Sequence, residues 1–142
     1  MTFTSLRPLA ALLALAAIGS APAREKSTRQ GVYSDGQAEA GAQLYAVRCA
    51  MCHGRNLEGS YEIPALRGKF VANWSGSPVA DLFIYLARAM PQFAPGSLSP
   101  TDNARIVAFL LKANGMPAGA SPLPSGEAEL RKIAFAPSGP AK

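Results

Sequence analysis

The feature that most constrains this chain is the pentapeptide Cys49-Ala50-Met51-Cys52-His53. Two cysteines separated by two residues and followed at once by a histidine have the spacing of a covalent haem c attachment site. Each thiol can form a thioether with one of the two haem vinyl groups, and the adjacent imidazole can then ligate the iron. His53 is the only histidine in the chain, so no second imidazole competes for this role.

Three other interpretations of the two cysteines are weaker. A redox-active disulfide would need a thioredoxin-like βαβ pattern nearby, and none is visible. A zinc site needs four ligands, and a chain with 2 cysteines and 1 histidine has no further Cys or His to offer. A structural disulfide across so short a loop would stabilise little. Haem attachment is therefore the favoured interpretation.

Residues 1–23 have the pattern of a cleaved secretory signal. Arg7 precedes an apolar run from Leu9 to Ile18, and the small residues Ala21-Pro22-Ala23 form a cleavage pattern. A retained membrane anchor is the alternative, but this run is only about half of the roughly 20 residues that span a bilayer. Export agrees with the motif, because bacteria attach haem c outside the plasma membrane.

Size and charge narrow the class of function. Cleavage after residue 23 leaves roughly 119 of the 142 residues, which suits one domain with one core. The formal charge of +5 falls to about +4, because Arg7 leaves with the signal. No Lys/Arg-rich run or aromatic-basic interleaving indicates nucleic-acid binding. A mildly basic surface would instead steer the protein to an acidic partner.

Local signals predict three helices and an all-α fold. Each helix begins at a serine: Ser34 with Gln37 in a capping-box pattern, Ser77 before a proline, and Ser99 before a proline. They end near Arg48, at Met90 before Pro91, and at Asn114-Gly115. The first helix has an apolar face made by Ala38, Gly41, Leu44 and Tyr45.

The remaining segments carry weaker signals. Residues 24–33 are expected to be a loose polar arm, and glycines between Gly54 and Gly76 predict a loop there. Trp74 lies at the end of this loop, where its indole N–H could meet either a haem propionate or a backbone carbonyl. The proline-rich extension 116–142 could form a helical turn or two, and whether it packs on the core stays open.

The sixth iron ligand has one main candidate. Met51 lies between the attachment cysteines on the His53 side, and Met116 follows the last helix. Met90 is held by Pro91 where a helix breaks into a stiff loop, so it is the preferred ligand. A methionine at the end of an apolar helix stripe is also an ordinary core residue, and both interpretations stay open on this pattern alone.

The ordered motifs together resemble the class I cytochrome c family. These are Gly41 and Tyr45 before the Cys49–His53 motif, then Pro64-x-Leu66-x-Gly68, Met90-Pro91, and a last helix with Ile106 and Phe109. The resemblance implies a cytochrome c fold over residues 34–115, with three main helices around one haem c bound through Cys49 and Cys52. In that family the first and last helices cross at right angles, so Gly41 would allow a close approach and Tyr45 would pack on Phe109.

The same resemblance implies a role for each site residue. His53 and Met90 would ligate the iron, the Pro64 carbonyl would accept a hydrogen bond from the His53 ring, and Trp74 would reach a haem propionate. The implied function is a monohaem electron carrier, not an enzyme, in the periplasm of a Gram-negative bacterium. Its partners would be redox proteins, namely a dehydrogenase, a terminal oxidase or another cytochrome, with no nucleic acid and no membrane span after signal cleavage.

Two alternatives are kept beside the free carrier. The stretch from Ala72-Asn73-Trp74 to Ala113-Asn114-Gly115 is similar to small exported cytochromes associated with quinoprotein dehydrogenases. The chain could therefore be a tightly bound electron-transfer subunit of a periplasmic quinoprotein or flavoprotein dehydrogenase. A haem enzyme or gas sensor is the other alternative, and it requires Met90 to be absent from the iron.

Overall fold

The computed structural model describes Met1 and residues 26–137. Residues 2–25, which include all of the predicted signal segment except Met1, and the last five residues of the extension lie outside the described part. The elements in chain order are β1 (Lys26–Ser27), α1 (Asp35–Arg48), α2 (Ala50–His53), α3 (Lys69–Trp74), α4 (Val79–Ala89), α5 (Pro100–Ala113), α6 (Glu127–Leu130) and β2 (Ile133–Ala134). No helix within these residues is both long and apolar enough to cross a bilayer.

Three long helices, α1, α4 and α5, begin and end close to the predicted residues. The Ser34 hydroxyl accepts a hydrogen bond from the Gln37 N–H at 3.3 Å, and the Ser99 hydroxyl accepts one from the Asp102 N–H at 3.1 Å. These bonds satisfy amide groups that a helix leaves free at its first turn. The helix α4 is preceded by Pro78 and ends at Ala89, with Met90 as its C-cap. The predicted all-α class is confirmed.

The helices α1 and α5 pack against each other through a very close backbone contact. A Cβ atom placed on Gly41 would overlap the carbonyl group of Arg105 and touch the side chain of Phe109. One turn further along α1, the ring of Tyr45 lies 5.0 Å from the ring of Phe109. Both the expected close approach at Gly41 and the packing of Tyr45 on Phe109 are therefore confirmed.

The prediction of a continuous loop between Gly54 and Gly76 is wrong for the six residues of α3. Gly68 stands at its N-terminus with φ 57°, and no side chain caps it, so the usual start signal is missing. The sequence does contain one indication of this helix. Phe70 and Trp74 are four residues apart, so they lie on one face of a helix. Phe70 is buried, and this burial stabilises the short helix in place of capping.

The prediction of a loose arm over residues 24–33 is also wrong where the structure describes it. Thr28 and Tyr33 are fully buried, and β1 pairs in parallel with β2, Lys26 opposite Ile133. The polar composition wrongly suggested exposure to solvent. These polar residues are buried because their hydroxyl groups form hydrogen bonds within the protein. Tyr33 donates to the carbonyl of Met116 at 2.6 Å, and Thr28 donates to the carbonyl of Ala136 at 2.6 Å.

The C-terminal extension packs on the core as far as Pro137. Its buried side chains are Met116, Leu123, Leu130, Ile133 and Phe135. The amide of Gln37 binds Leu123 twice, donating to its carbonyl at 2.9 Å and accepting from its N–H at 2.7 Å. The side chain of Gln37 therefore binds the extension. It does not bind the backbone of Ser34, so this half of the predicted capping box is not formed.

The contact at Gly41 predicts a difference between two glycines of the same helix. Gly41→Ala should lower the free energy of unfolding by about 1–3 kcal/mol, because the added methyl group meets backbone that cannot move aside cheaply. Urea unfolding of the haem-containing protein measures this. Gly36→Ala is the matched control, because open space surrounds Gly36 on α1. It should be neutral or stabilise by up to about 1 kcal/mol, and equal losses in both variants would contradict the prediction.

Candidate functional site

A single large apolar cavity brings the predicted site residues together. Its volume is about 940 Å³, within the range of roughly 300–1,000 Å³ that is usual for ligand and cofactor sites. Side chains from α1 to α5 and from the two loops around Pro64 and Pro91 line it. The predicted site residues that line it are Cys49, Cys52, His53, Pro64, Trp74 and Met90.

The two cysteines lie where α1 passes into the single turn of α2. The N–H of Cys49 donates to the Tyr45 carbonyl at 2.9 Å and closes α1, and Cys49 then precedes the first residue of α2. Both thiols are free, Cys49 being partly buried and Cys52 exposed. Burial, with a smaller contribution from Cys52, raises the pKa of the Cys49 thiol to about 11, although Arg48 opposes the shift. A redox-active cysteine has a lowered pKa, so the raised pKa of Cys49 does not support a redox-active disulfide.

His53 is held in one orientation by the backbone of a following loop. Its ring is 8% exposed, and its Nδ1 atom lies 2.9 Å from the carbonyl oxygen of Pro64. A carbonyl oxygen can only accept a hydrogen bond, so Nδ1 must carry the hydrogen atom. In the neutral imidazole the lone pair is then on Nε2, which is the state a metal-ligating imidazole needs. This is the contact that the family resemblance implied.

A tight loop after the motif places the Pro64 carbonyl. Gly59 donates its N–H to the His53 carbonyl at 2.8 Å, and Ser60 donates to the Ile63 carbonyl at 2.8 Å. Gly59 has φ 68°, and a Cβ atom there would overlap the backbone of Ile63 and Pro64. Only glycine fits this position without strain, so the loop that orients His53 depends on it.

The methionines differ in their access to the cavity. Met90 lines it from the end of α4, where its N–H donates to the Leu86 carbonyl at 3.0 Å. Met51 also lines it, but from α2 beside the cysteines, and 84% of its surface is exposed. Met116 is 2% exposed and does not line the cavity. Within residues 26–137, Met90 is therefore the methionine that lines the cavity without belonging to the attachment motif.

Aromatic and basic side chains complete the lining. The ring of Trp74 lies 6.5 Å from that of Phe70 and 5.7 Å from that of Tyr85, and all three line the cavity. Sequence reasoning selected Trp74 but missed Phe70 and Tyr85. Basic groups that could balance an acidic ligand come from Arg48, Arg67 and Lys69.

The donor set fits a haem c. Two thiols, an imidazole with a free Nε2 lone pair, and a thioether from a different helix line one apolar space of suitable volume. Cationic side chains at the same cavity suit the two carboxylates of a haem. These observations concern the residues alone, and the role of each toward a haem is a proposal.

A comparison with protein families agrees with this geometry. The family model described as cytochrome c oxidase, cbb3-type, subunit III matches residues 36–110, which is more than half of the chain. This chain belongs to the cytochrome c family. The expected class I c-type cytochrome with its cytochrome c fold is confirmed, and the family implies haem c as cofactor.

Individual relatives match over part of their length. A thiosulfate dehydrogenase of Stutzerimonas stutzeri is 32% identical over 77 residues, 49% of this chain and 25% of the relative. Cytochrome c-551 of Bacillus subtilis is 44% identical over 45 residues, 32% of this chain and 40% of the relative. The solved sulfane dehydrogenase SoxCD from Paracoccus pantotrophus matches with 31% identity and a TM-score of 0.48, over 62% of this chain and 52% of that one. The chain thus spans between a quarter and about half of these proteins.

Tyr45 links α1 to the loop that follows the motif. Its ring is 2% exposed, and its hydroxyl donates to the Gly54 carbonyl at 2.7 Å. Burial raises the pKa of Tyr45 to about 12; Cys49 and Glu58 also raise it, and Arg67 lowers it slightly. The folded protein therefore holds this phenol protonated at pH values where the unfolded chain ionises it.

This shift predicts an alkaline loss of stability that depends on Tyr45. The folded-state pKa lies above the ordinary value of 10.0, so the stabilisation is complete below pH 10 and is lost as the pH rises through 12. Urea unfolding of wild type and Tyr45→Phe across this range measures it. The variant should be less stable by about 1 kcal/mol at neutral pH, and the difference should shrink with alkalinity. A constant difference at every pH would contradict the assignment.

Proposed function

We propose that this cytochrome carries single electrons through one haem c, which Cys49 and Cys52 would bind covalently and whose iron His53 and Met90 would ligate. One observation carries the proposal: His53 and Met90, from different parts of the chain, line the same apolar cavity beside the two thiols. When bound, a haem c supplies one-electron exchange between ferric and ferrous iron.

Each residue contributes a definite property to that exchange. His53 offers its Nε2 lone pair, because Pro64 holds its Nδ1 hydrogen. Met90 offers a soft thioether, which favours the ferrous state and raises the potential. If His53 and Met90 both ligate the iron, no position would stay open for a substrate, so the protein would transfer electrons without forming a bond to a substrate.

The remaining lining residues would bind and shield the cofactor. Trp74 is proposed to donate its indole N–H to a propionate, and Arg48, Arg67 and Lys69 to offset the two negative charges. Apolar side chains such as Leu82, from α4, line the cavity and would exclude water from a bound cofactor. Because Cys52 is exposed, its side of the cavity is where a redox partner could form a small, transient interface.

We place this activity in the periplasm. The signal pattern of residues 1–23 supports export, and covalent haem attachment agrees with it. The proposed cytochrome c domain comprises residues 34–115, and the extension comprises residues 116–142. The donor and acceptor are redox proteins, because the proposed ligand set leaves the iron no small-molecule substrate.

Optical spectra of the periplasmically expressed protein test the ligand assignment. The wild type should be low-spin in both oxidation states and show the weak red band of methionine ligation when ferric. Met90→Ala should lose this band entirely and become high-spin, because no other methionine outside the attachment motif lines the cavity. Met51→Ala is the matched control, since it removes the other lining methionine, and it should keep the wild-type spectrum.

Some outcomes would contradict the ligand assignment, and another would contradict the carrier function. If Met90→Ala keeps the band, or if Met51→Ala loses it, the axial ligand has been misassigned. If the ferrous wild type is already high-spin and takes up CO, the iron has an open position. Haem enzyme or gas-sensor chemistry would then be the better description.

A second candidate is an electron-transfer subunit of a dehydrogenase. The observation that favours it is the likeness to a thiosulfate dehydrogenase, of which the matched segment makes up 25%. A quinoprotein or flavoprotein partner would bind the cytochrome stably. Size-exclusion chromatography of periplasmic extract from the native host distinguishes the two, because a carrier elutes as a small protein and a subunit elutes with a larger oxidoreductase.

A further inference from the structure

We propose that Phe135, on the C-terminal extension, is a positioning residue that holds the Phe70–Trp74 wall of the cavity in place. Phe135 itself does not line the cavity and is 1% exposed. Its ring meets that of Phe70 edge-on at a centroid distance of 6.3 Å, and Phe70 meets Trp74 at 6.5 Å. The three rings form a continuous row from the extension to the cavity. The functional meaning of this row rests on the proposed haem site.

The helix α3, which carries Phe70 and Trp74, cannot hold its position by itself. It has six residues, and no side-chain cap stabilises its N-terminus. Isolated helices shorter than about 12 residues are marginal in water, so α3 depends on tertiary contacts. The ring of Phe135 supplies such a contact on Phe70, the buried residue of α3.

The backbone of Phe135 forms two hydrogen bonds with the turn between α3 and α4. Its N–H donates to the Ser77 carbonyl at 2.8 Å, and its carbonyl accepts from the Gly76 N–H at 2.9 Å. Both bonds reach the residues that directly follow α3. The position of α3 at the end near Trp74 is therefore tied to the extension by backbone as well as by ring contacts.

Neighbouring bonds anchor Phe135 from the other side. Thr28, fully buried, uses one hydroxyl for two bonds to Ala136, donating to its carbonyl at 2.6 Å and accepting from its N–H at 2.9 Å. Ala134 pairs with Ser27 in the parallel strands. Residues on both sides of Phe135 are thus fixed to the N-terminal segment, and the ring has little freedom to move away from Phe70.

The consequence concerns the surroundings of the cofactor and not its attachment. Cys49, Cys52, His53 and Met90 belong to other elements, so loss of the Phe135 ring leaves the ligands in place. A loosened wall would admit water beside the haem, and greater exposure favours the more highly charged ferric state. Phe135 should therefore raise the midpoint potential and restrict the motion of Trp74.

Two measurements on the haem-containing protein test this positioning role. Trp74 is the only tryptophan, so its emission reports on this wall alone, and a bound haem should quench it strongly. Phe135→Ala should increase the residual Trp74 emission and shift the midpoint potential downward, while the methionine–iron band stays. Phe135→Leu, which keeps most of the apolar volume, should return both values toward wild type.

Leu123→Ala is the matched control, because Leu123 is a buried residue of the same extension that does not lie in the aromatic row. It should lower stability and leave emission and potential at wild-type values. If Phe135→Ala does not fold, Thr28→Val tests the positioning role instead. It removes the hydrogen bonds that anchor Ala136 and keeps the ring of Phe135. Its emission should rise and its potential should fall, though less than expected for Phe135→Ala.

Two results would overturn the proposal. One is wild-type emission and potential in Phe135→Ala, or in Thr28→Val where it replaces that variant. The other is an equal change in Leu123→Ala, which would show general loosening instead of positioning. Failure of the proposed function looks different, since the wild type itself would then lack the methionine–iron band. The emission comparison between variants would still report on the wall in that case.

Discussion

The contact between Gly41 and the backbone of Arg105 is the constraint on which the site depends. Because no side chain separates α1 from α5 there, the two helices meet at backbone distance, and Tyr45 is brought onto Phe109 one turn later. The end of α1 is thereby fixed, and Cys49 follows directly. The Tyr45 hydroxyl also fixes the residue that follows the motif, because it donates a hydrogen bond to the Gly54 carbonyl. One missing Cβ atom thus determines where the attachment motif lies relative to the helix that lines the cavity with Ile106 and Leu110.

The parts of the fold that could be predicted are those with local causes. Ser34 and Ser99 cap their helices through bonds to residues three positions ahead, so a short window contains the whole signal. The Cys49–His53 spacing is equally local. Met90 was preferred through its place before Pro91; it lines the cavity and Met116 does not, while its ligation of the iron stays a prediction. The two serine caps were predictable because the residues that form them are close together in the chain.

The predictions that were wrong concern segments whose partners are distant in the chain. The arm was expected to be loose because its residues are polar, yet Thr28 is buried through bonds to Ala136, which lies 108 positions away. Gln37 had the spacing of a capping box, but its amide is used by Leu123, 86 positions away. The helix α3 lacks a cap and is held by Phe135. A pattern within α3 or the arm could not reveal these partners, because the energy that orders each segment comes from the far end of the chain.

Two properties of the site also differ in whether nearby or distant residues of the chain determine them. The groups that would bind a haem, namely the two thiols and the oriented His53 ring, are set by α2 and the loop that ends at Pro64, and these residues are neighbours in sequence. The wall that would control water access depends on contacts between α3 and the extension. The proposed attachment and the proposed ligation by His53 therefore depend on the motif, whereas the environment that would tune a haem potential depends on the tertiary structure. Two chains of this family with the same motif could hence differ in potential through their extensions alone.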